Sequence, residues 1–179
     1  MDLYIDRSRV ETDWTCRRAR WWLTEYDHTG IVPATPPYYF FFGDLIHKGL
    51  EQLLLGQQVE MVLWWATKSL ATWTFGSPEE AVEQQAVALG LLGGFGSRVL
   101  PKLLETYEVI ATEQEHTLMF KPPTGIHTLH WMIRPDAGLR DRRSGAVVCL
   151  NFKTTGDNGP KWLAQWGTKP QLWLEACAM

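Results

Sequence analysis

Asp136, Asn151 and Lys153 are three residues whose types and spacing could do chemistry on a phosphodiester. They flank Asp141-Arg142-Arg143-Ser144-Gly145, a polar run ending in glycine that reads as the turn of a hairpin. A turn centred between Arg143 and Ser144 sets Asp136 opposite Asn151, with Cβ atoms about 4.5–5.5 Å apart. Lys153 lies two residues further and shares the face of Asn151, because side chains along a strand alternate with a period of two. A carboxylate, an amide oxygen and a backbone carbonyl are hard oxygen ligands of the kind Mg²⁺ accepts. Such a cation lowers the pKa of a bound water and offsets charge building on phosphate, while a lysine can orient that water.

The hairpin strands are the ends of a longer pattern. Residues 107–120 are rich in β-formers, residues 126–140 make a second strand, and residues 146–153 a third. The apolar start of the third suits a strand buried on both faces. Before them the pattern is helical. A first helix is expected over residues 8–26, where Arg17, Arg18 and Arg20 mix with tryptophans, and a connector with Gly30, Pro33, Pro36 and Pro37 follows. Residues 43–56 form the clearest helix, with Leu45, Ile46, Gly49, Leu50, Leu53 and Leu54 on one apolar face. His47 stands at the border of that face with Glu51 one turn on. A Trp-rich helical segment covers residues 57–74. Ser77-Pro78-Glu79-Glu80 then has the form of a helix start, N-cap serine first and proline at the first helical position. This helix is expected to run to about Leu92, where Gly93, Gly94 and Gly96 interrupt it before a further helical stretch to about Tyr107. A last helix is expected over residues 162–175. Helices, three strands and a helix define one mixed α/β domain with a small mixed sheet flanked by helices.

The chain has 179 residues, with 45% hydrophobic and 21% charged, which excludes wholesale disorder. No apolar run reaches the roughly 18 residues of a membrane span, and the acidic N-terminus has no secretory signal, so a cytoplasmic location is expected. A net charge of −3 excludes a protein that coats nucleic acid through bulk positive charge, though not one with a local basic groove. Three cysteines at irregular spacing make neither a disulfide framework nor a CxxC pair. Ten tryptophans read first as core filling and second as base-stacking or partner contacts.

The stretch RPDAG…VVCLNFKTT resembles the PD-(D/E)XK nuclease superfamily, specifically its RecB-like branch, which includes the AddB-type and CRISPR-adaptation exonucleases. Other segments fall where that branch has its motifs, in the same order. TCRRARWW looks like the N-terminal Cys-Pro-x-(Arg/Lys) segment, and FGDLIHKGLEQLL like the Gly-x-x-x-His helix. Arg134-Pro135-Asp136 matches the "PD" element, Asn151-Phe152-Lys153-Thr154 the (D/E)-x-K-T strand, and KPQLWLEA the Gln-containing helix. The resemblance implies a restriction-endonuclease-like fold and metal-dependent DNA cleavage leaving a 5′-phosphate. It implies Mg²⁺ or Mn²⁺ held by His47, Asp136, the Asn151 oxygen and the Phe152 carbonyl. It implies Lys153 and Gln171 as the remaining catalytic residues, with Gln171 also a candidate for phosphate contact. Arg17 and Arg18 read first as surface or salt-bridging residues and second as contacts to DNA phosphates. Partners would be DNA and recombination, phage or CRISPR-adaptation proteins, and no membrane.

Departures from the family pattern carry information. Asn151 stands where the family has Asp or Glu, and an amide offers one neutral oxygen beside an NH₂ that repels a cation. Three explanations compete: a dead variant, an engineered Asp→Asn change, or a carboxylate that has migrated to Glu51, Glu108, Glu113 or Glu115. The family's tyrosine four residues after the motif glutamine is Glu175 here, and the chain stops at Met179 inside what should be a helix, as a truncated fragment would. Cys16 matches the first of four cluster cysteines in iron–sulfur members, but lone Cys177 cannot stand for the other three, so no such cluster is expected within these residues. The alternative to a nuclease is a non-catalytic module that keeps the fold to bind DNA or a partner protein.

Overall fold

The computed structural model describes residues 2–5, 12–13, 16–26, 30–31, 37–121, 123, 128–155, 159–160 and 164. In chain order the elements begin with β1 (Asp2–Ile5), α1 (Arg17–Arg20), α2 (Tyr38–Leu54), α3 (Val59–Leu70), α4 (Pro78–Gly94) and α5 (Leu100–Thr106). They continue with β2 (Tyr107–Thr112), β3 (His116–Phe120), β4 (Thr128–Ile133), β5 (Ala137–Asp141) and β6 (Val147–Leu150). Trp21–Glu25 extends α1 as a π turn, and a second π turn, Phe95–Val99, joins α4 to α5. The protein is mixed α/β. The expected helix over residues 162–175 lies outside the described residues, apart from a single helical position at Ala164.

Two three-stranded sheets replace the single sheet expected, in the orders β1-β4-β3 and β2-β5-β6. The expected strand 107–120 divides into β2 and β3, because Glu113 takes a left-handed backbone with φ 47° that a continuing strand cannot use. The expected strand 126–140 divides into β4 and β5 around Pro135, which has no N–H to give a ladder. Each break also lies at a boundary between two units: Met1–Pro36 with Gln114–Arg134 and Asn158–Met179, and Pro37–Glu113 with Pro135–Asp157.

The second unit holds helices α2 to α5 and sheet β2-β5-β6. Leu45, Ile46, Gly49, Leu50, Leu53 and Leu54, the stripe read from periodicity, are the buried face of α2. They pack with Val62, Ala66 and Leu70 of α3, Ala88 and Leu92 of α4, and Leu139 of β5. Helix α2 starts at Tyr38, five residues before Gly43. Pro37 precedes the first turn, and the aromatics that follow it pack, with Phe41 stacked on Trp73 at 4.9 Å and Tyr38 edge-on to Phe75 at 5.3 Å. Tyr38 donates its hydroxyl to Gln84 at 3.1 Å. Burial, helped by the negative Glu80, pushes its phenol up to about 12.

As expected, α4 ends at the glycines, at Gly94, and the helical path then continues through the π turn Phe95–Val99 and α5 to Thr106. The whole helical stretch Pro78–Thr106 runs for 29 residues, and within it Gly96 has a packing role. A Cβ at Gly96 would lie 2.7 Å from Val59 Cγ2 and 3.2 Å from Leu53 Cδ2. Gly96 therefore permits close helix contact. By length and composition this stretch is long enough to cross a membrane, which corrects the expectation that no segment is. Core helices of water-soluble proteins meet the same test but are mostly buried; here Ala88, Leu92, Gly96 and Leu100 are buried, and 22% of the apolar window is.

Ser77 caps the start of α4 as its sequence suggests: the hydroxyl oxygen accepts from Glu80 N–H at 3.1 Å, and Glu80 reaches back to Gly76 N–H at 2.9 Å. Ser77→Ala leaves one of the four orphan donors of the helix start without its acceptor, so it is expected to cost about 1 kcal/mol, measured by urea denaturation.

Strand β6 pairs with β5 as Ala137↔Leu150, Gly138↔Cys149, Leu139↔Val148 and Arg140↔Val147, the register of a turn centred between Arg143 and Ser144. Asp141 organises that turn by accepting from Arg143 N–H at 2.8 Å and Ser144 N–H at 2.7 Å. These bonds, that from Ser144 first, hold its carboxyl below the usual carboxylate range. Two expectations for β6 need correction. It lies at the sheet edge, with Val147 and Val148 exposed, and so is not buried on both faces. It also ends at Leu150 rather than residue 153, since the next partners along β5 run into Pro135.

In the first unit β1 runs parallel to β4 and β3 antiparallel to it. Tyr4 stacks on His130 across the β1–β4 pair at 4.5 Å. Of the helix expected over residues 8–26, the described part is a turn at residues 12–13 and the run from Arg17 to Glu25. Asp13 meets Arg20 at 3.2 Å and Arg17 at 4.0 Å. Trp21, Trp22 and Tyr26 form an exposed aromatic cluster with ring centroids 4.6–5.5 Å apart.

Candidate metal centre

Helix periodicity positions the imidazole. Ile46 and Leu50 are buried on the core face of α2, so His47 emerges at the edge of that face with 26% of its side chain exposed. The carboxylate comes from the hairpin. Buried Pro135 anchors the chain before β5, and Asp136 follows with 11% of its side chain exposed. Although 89 residues apart in sequence, His47 Nδ1 and Asp136 Oδ1 stand 3.0 Å apart.

The other oxygen of Asp136 accepts from the backbone N–H of Phe152. This bond ties the segment leaving β6 to the start of β5, so one carboxylate both closes the open end of the hairpin and faces the imidazole. The Phe152 ring lies edge-on to His47 at 6.3 Å and to Phe95 at 5.4 Å, forming an apolar wall beside the polar pair.

Glu113 joins them from the end of β2. Its backbone N–H donates to the carbonyl of Asp136 at 3.2 Å. One ligand atom each from His47, Glu113 and Asp136 lie within 4.8 Å of one another, and all three residues are half-buried. With metal–oxygen bonds of about 2.1 Å, neighbouring ligands of an octahedral cation stand about 3 Å apart and opposite ones about 4.2 Å. The His47–Asp136 spacing equals the first of these, and the 4.8 Å limit on the whole group is close to the second. One imidazole and two carboxylates form a donor set that could hold a divalent cation.

The remaining sequence-derived residues fall as follows. Asn151 and Lys153 are half-buried on the segment that leaves β6, beyond its last paired residue. Thr154 approaches α2, its Oγ1 lying 3.4 Å from where a Cβ on Gly43 would be. Of the other carboxylates, Glu51 is engaged with Thr112 Oγ1 at 3.5 Å and Glu108 with Arg140 at 3.5 Å. Glu115 is exposed and belongs to the first unit. Arg17 and Arg18 are exposed on α1, also in the first unit. Gln171 lies outside the described residues. No feature of the sequence separates Glu113 from its neighbours; the only signal is its place where the β pattern gives way to Gln114 and Glu115. No protein-family model matches the chain, and no curated protein matches it.

Proposed function

We propose that this protein is a divalent-metal-dependent DNA nuclease with a restriction-endonuclease-like fold, of the RecB-like kind its motifs resemble. The meeting of His47 with Asp136 carries this reading: a helical imidazole and the carboxylate of an Arg-Pro-Asp element come together at the open end of a hairpin. That is the pairing the motif order leads one to expect, and it is reached across 89 residues of intervening chain.

His47 and Asp136 would hold Mg²⁺ or Mn²⁺, with the Asn151 amide oxygen and the Phe152 carbonyl as further oxygen donors. When bound, such a cation acidifies a water and offsets charge on the phosphate. Lys153 orients the attacking water and stabilises the phosphorane. The Phe152 ring limits water around the polar pair, which strengthens its electrostatics. Arg17, Arg18 and Gln171 contact phosphate oxygens, and the exposed Trp21, Trp22 and Tyr26 offer stacking faces for bases. The setting is cytoplasmic, with DNA and recombination, phage or CRISPR-adaptation proteins as partners. Asn151 favours one second reading, a nuclease-fold module that binds without cutting.

The full chain incubated with labelled single- and double-stranded DNA separates the two. Cleavage to 5′-phosphate ends in Mn²⁺, abolished by EDTA, is the result expected of a nuclease. Binding that weakens with salt, ignores EDTA and leaves the DNA intact would identify the module instead.

A further inference from the structure

We infer, resting on the metal-site reading above, that Glu113 supplies the second metal carboxylate that Asn151 lacks. The acid has moved from the third strand of the sheet to the first, and the site keeps its charge. Two carboxylates face the cation in either arrangement, so Asn151 is a relocation of a ligand and not a lesion.

The backbone explains how a residue at the end of β2 reaches the site. The ladder between β2 and β5 pairs Val109 with Leu139 but Ala111 with Gly138, so Ile110 is an extra residue on the β2 side. Without that bulge Glu113 would come level with Pro135; with it Thr112 pairs with Ala137 and Glu113 comes level with Asp136. The chain then turns at Glu113 itself, whose φ of 47° is unusual for a residue with a Cβ. The Glu113 N–H bond to the Asp136 carbonyl ties the two acids together through the backbone as well. Of the four glutamates that could have replaced the missing acid, Glu113 alone belongs to the group with His47 and Asp136 among the described residues.

Mn²⁺ binding measured by calorimetry and by electron paramagnetic resonance tests this without recourse to activity. The proteins compared are the full chain, Glu113→Gln, Glu113→Gly, His47→Ala and the double variant Glu113→Gln/Asn151→Asp, each melted in EDTA as a check on folding. Gln preserves the shape of the side chain, and Gly suits the left-handed backbone, so at least one variant tests the carboxylate in a folded protein. Both are expected to weaken Mn²⁺ binding about 10- to 100-fold, and Asn151→Asp is expected to restore it in the Gln background. Wild-type affinity in Glu113→Gln and Glu113→Gly, beside a loss in His47→Ala, would overturn the relocation and leave the metal site standing. Absence of Mn²⁺ binding by the unaltered chain would overturn both.

Discussion

Asp136→Asn is expected to lower Mn²⁺-dependent DNA cleavage on the order of 10³-fold, about 4 kcal/mol of transition-state stabilisation, with little change in stability. The asparagine keeps one oxygen that can accept the Phe152 N–H and so close the hairpin. It removes the negative charge that would hold the cation beside His47. Asp136→Ala removes both functions. The half-buried Phe152 N–H then loses its acceptor, which costs about 1 kcal/mol of stability in addition to the loss of cleavage. Rates and urea midpoints measured on both variants separate the electrostatic role from the structural one. Undiminished cleavage by Asp136→Asn, beside destabilisation by Asp136→Ala, would show that the side chain's contribution is to the hairpin alone.

Leu92→Ala is the expected extreme for stability, a loss of about 3–5 kcal/mol measured by urea denaturation, because Leu92 is fully buried where α4 meets α2. Its partner position makes the prediction sharper. A Cβ on Gly49 would sit 2.6 Å from Leu92 Cδ2 and 2.8 Å from Cδ1. Gly49→Ala gains roughly 1 kcal/mol of helix propensity and meets an overpacking cost of about 1–3 kcal/mol, so alone it destabilises modestly. In the Leu92→Ala background the obstructing methyls are gone and only the propensity gain remains. The double variant is therefore expected to be more stable than Leu92→Ala, with a coupling of about 1–3 kcal/mol. Simple additivity of the two changes would mean that α2 and α4 shift apart to absorb the strain.

Features governed by local periodicity were legible in the sequence, and those governed by meeting in space were not. The apolar stripe of α2 has a period that only a helix satisfies, and all six of its members are buried. The Ser77 cap is a short-range pattern with its own hydrogen bonds. The hairpin register followed from the turn residues, and Asp136 emerged at the open end beside Phe152. The glycines near residue 94 marked the end of α4, but the packing role of Gly96 was not legible, since a glycine that lets two helices touch and one that ends a helix are written with the same letter. The breaks at Glu113 and Pro135 were hidden by strand-like residues on either side. Glu113 itself was one of four equivalent acids, because a one-residue bulge decides which of them comes level with Asp136 and no local propensity marks it.

The wide turn at Phe95–Val99 governs more than the helix that contains it. Helix α5 passes into β2 without a connecting loop, Thr106 being followed at once by Tyr107. The azimuth at which the long helix finishes therefore fixes the direction in which β2 sets out. A standard α turn advances about 100° per residue, so the surplus residue of a π turn rotates everything downstream by roughly that angle. Shortening this stretch by one residue would leave every side chain of the metal group in place along the chain, yet aim Glu113 toward a different quarter of the molecule.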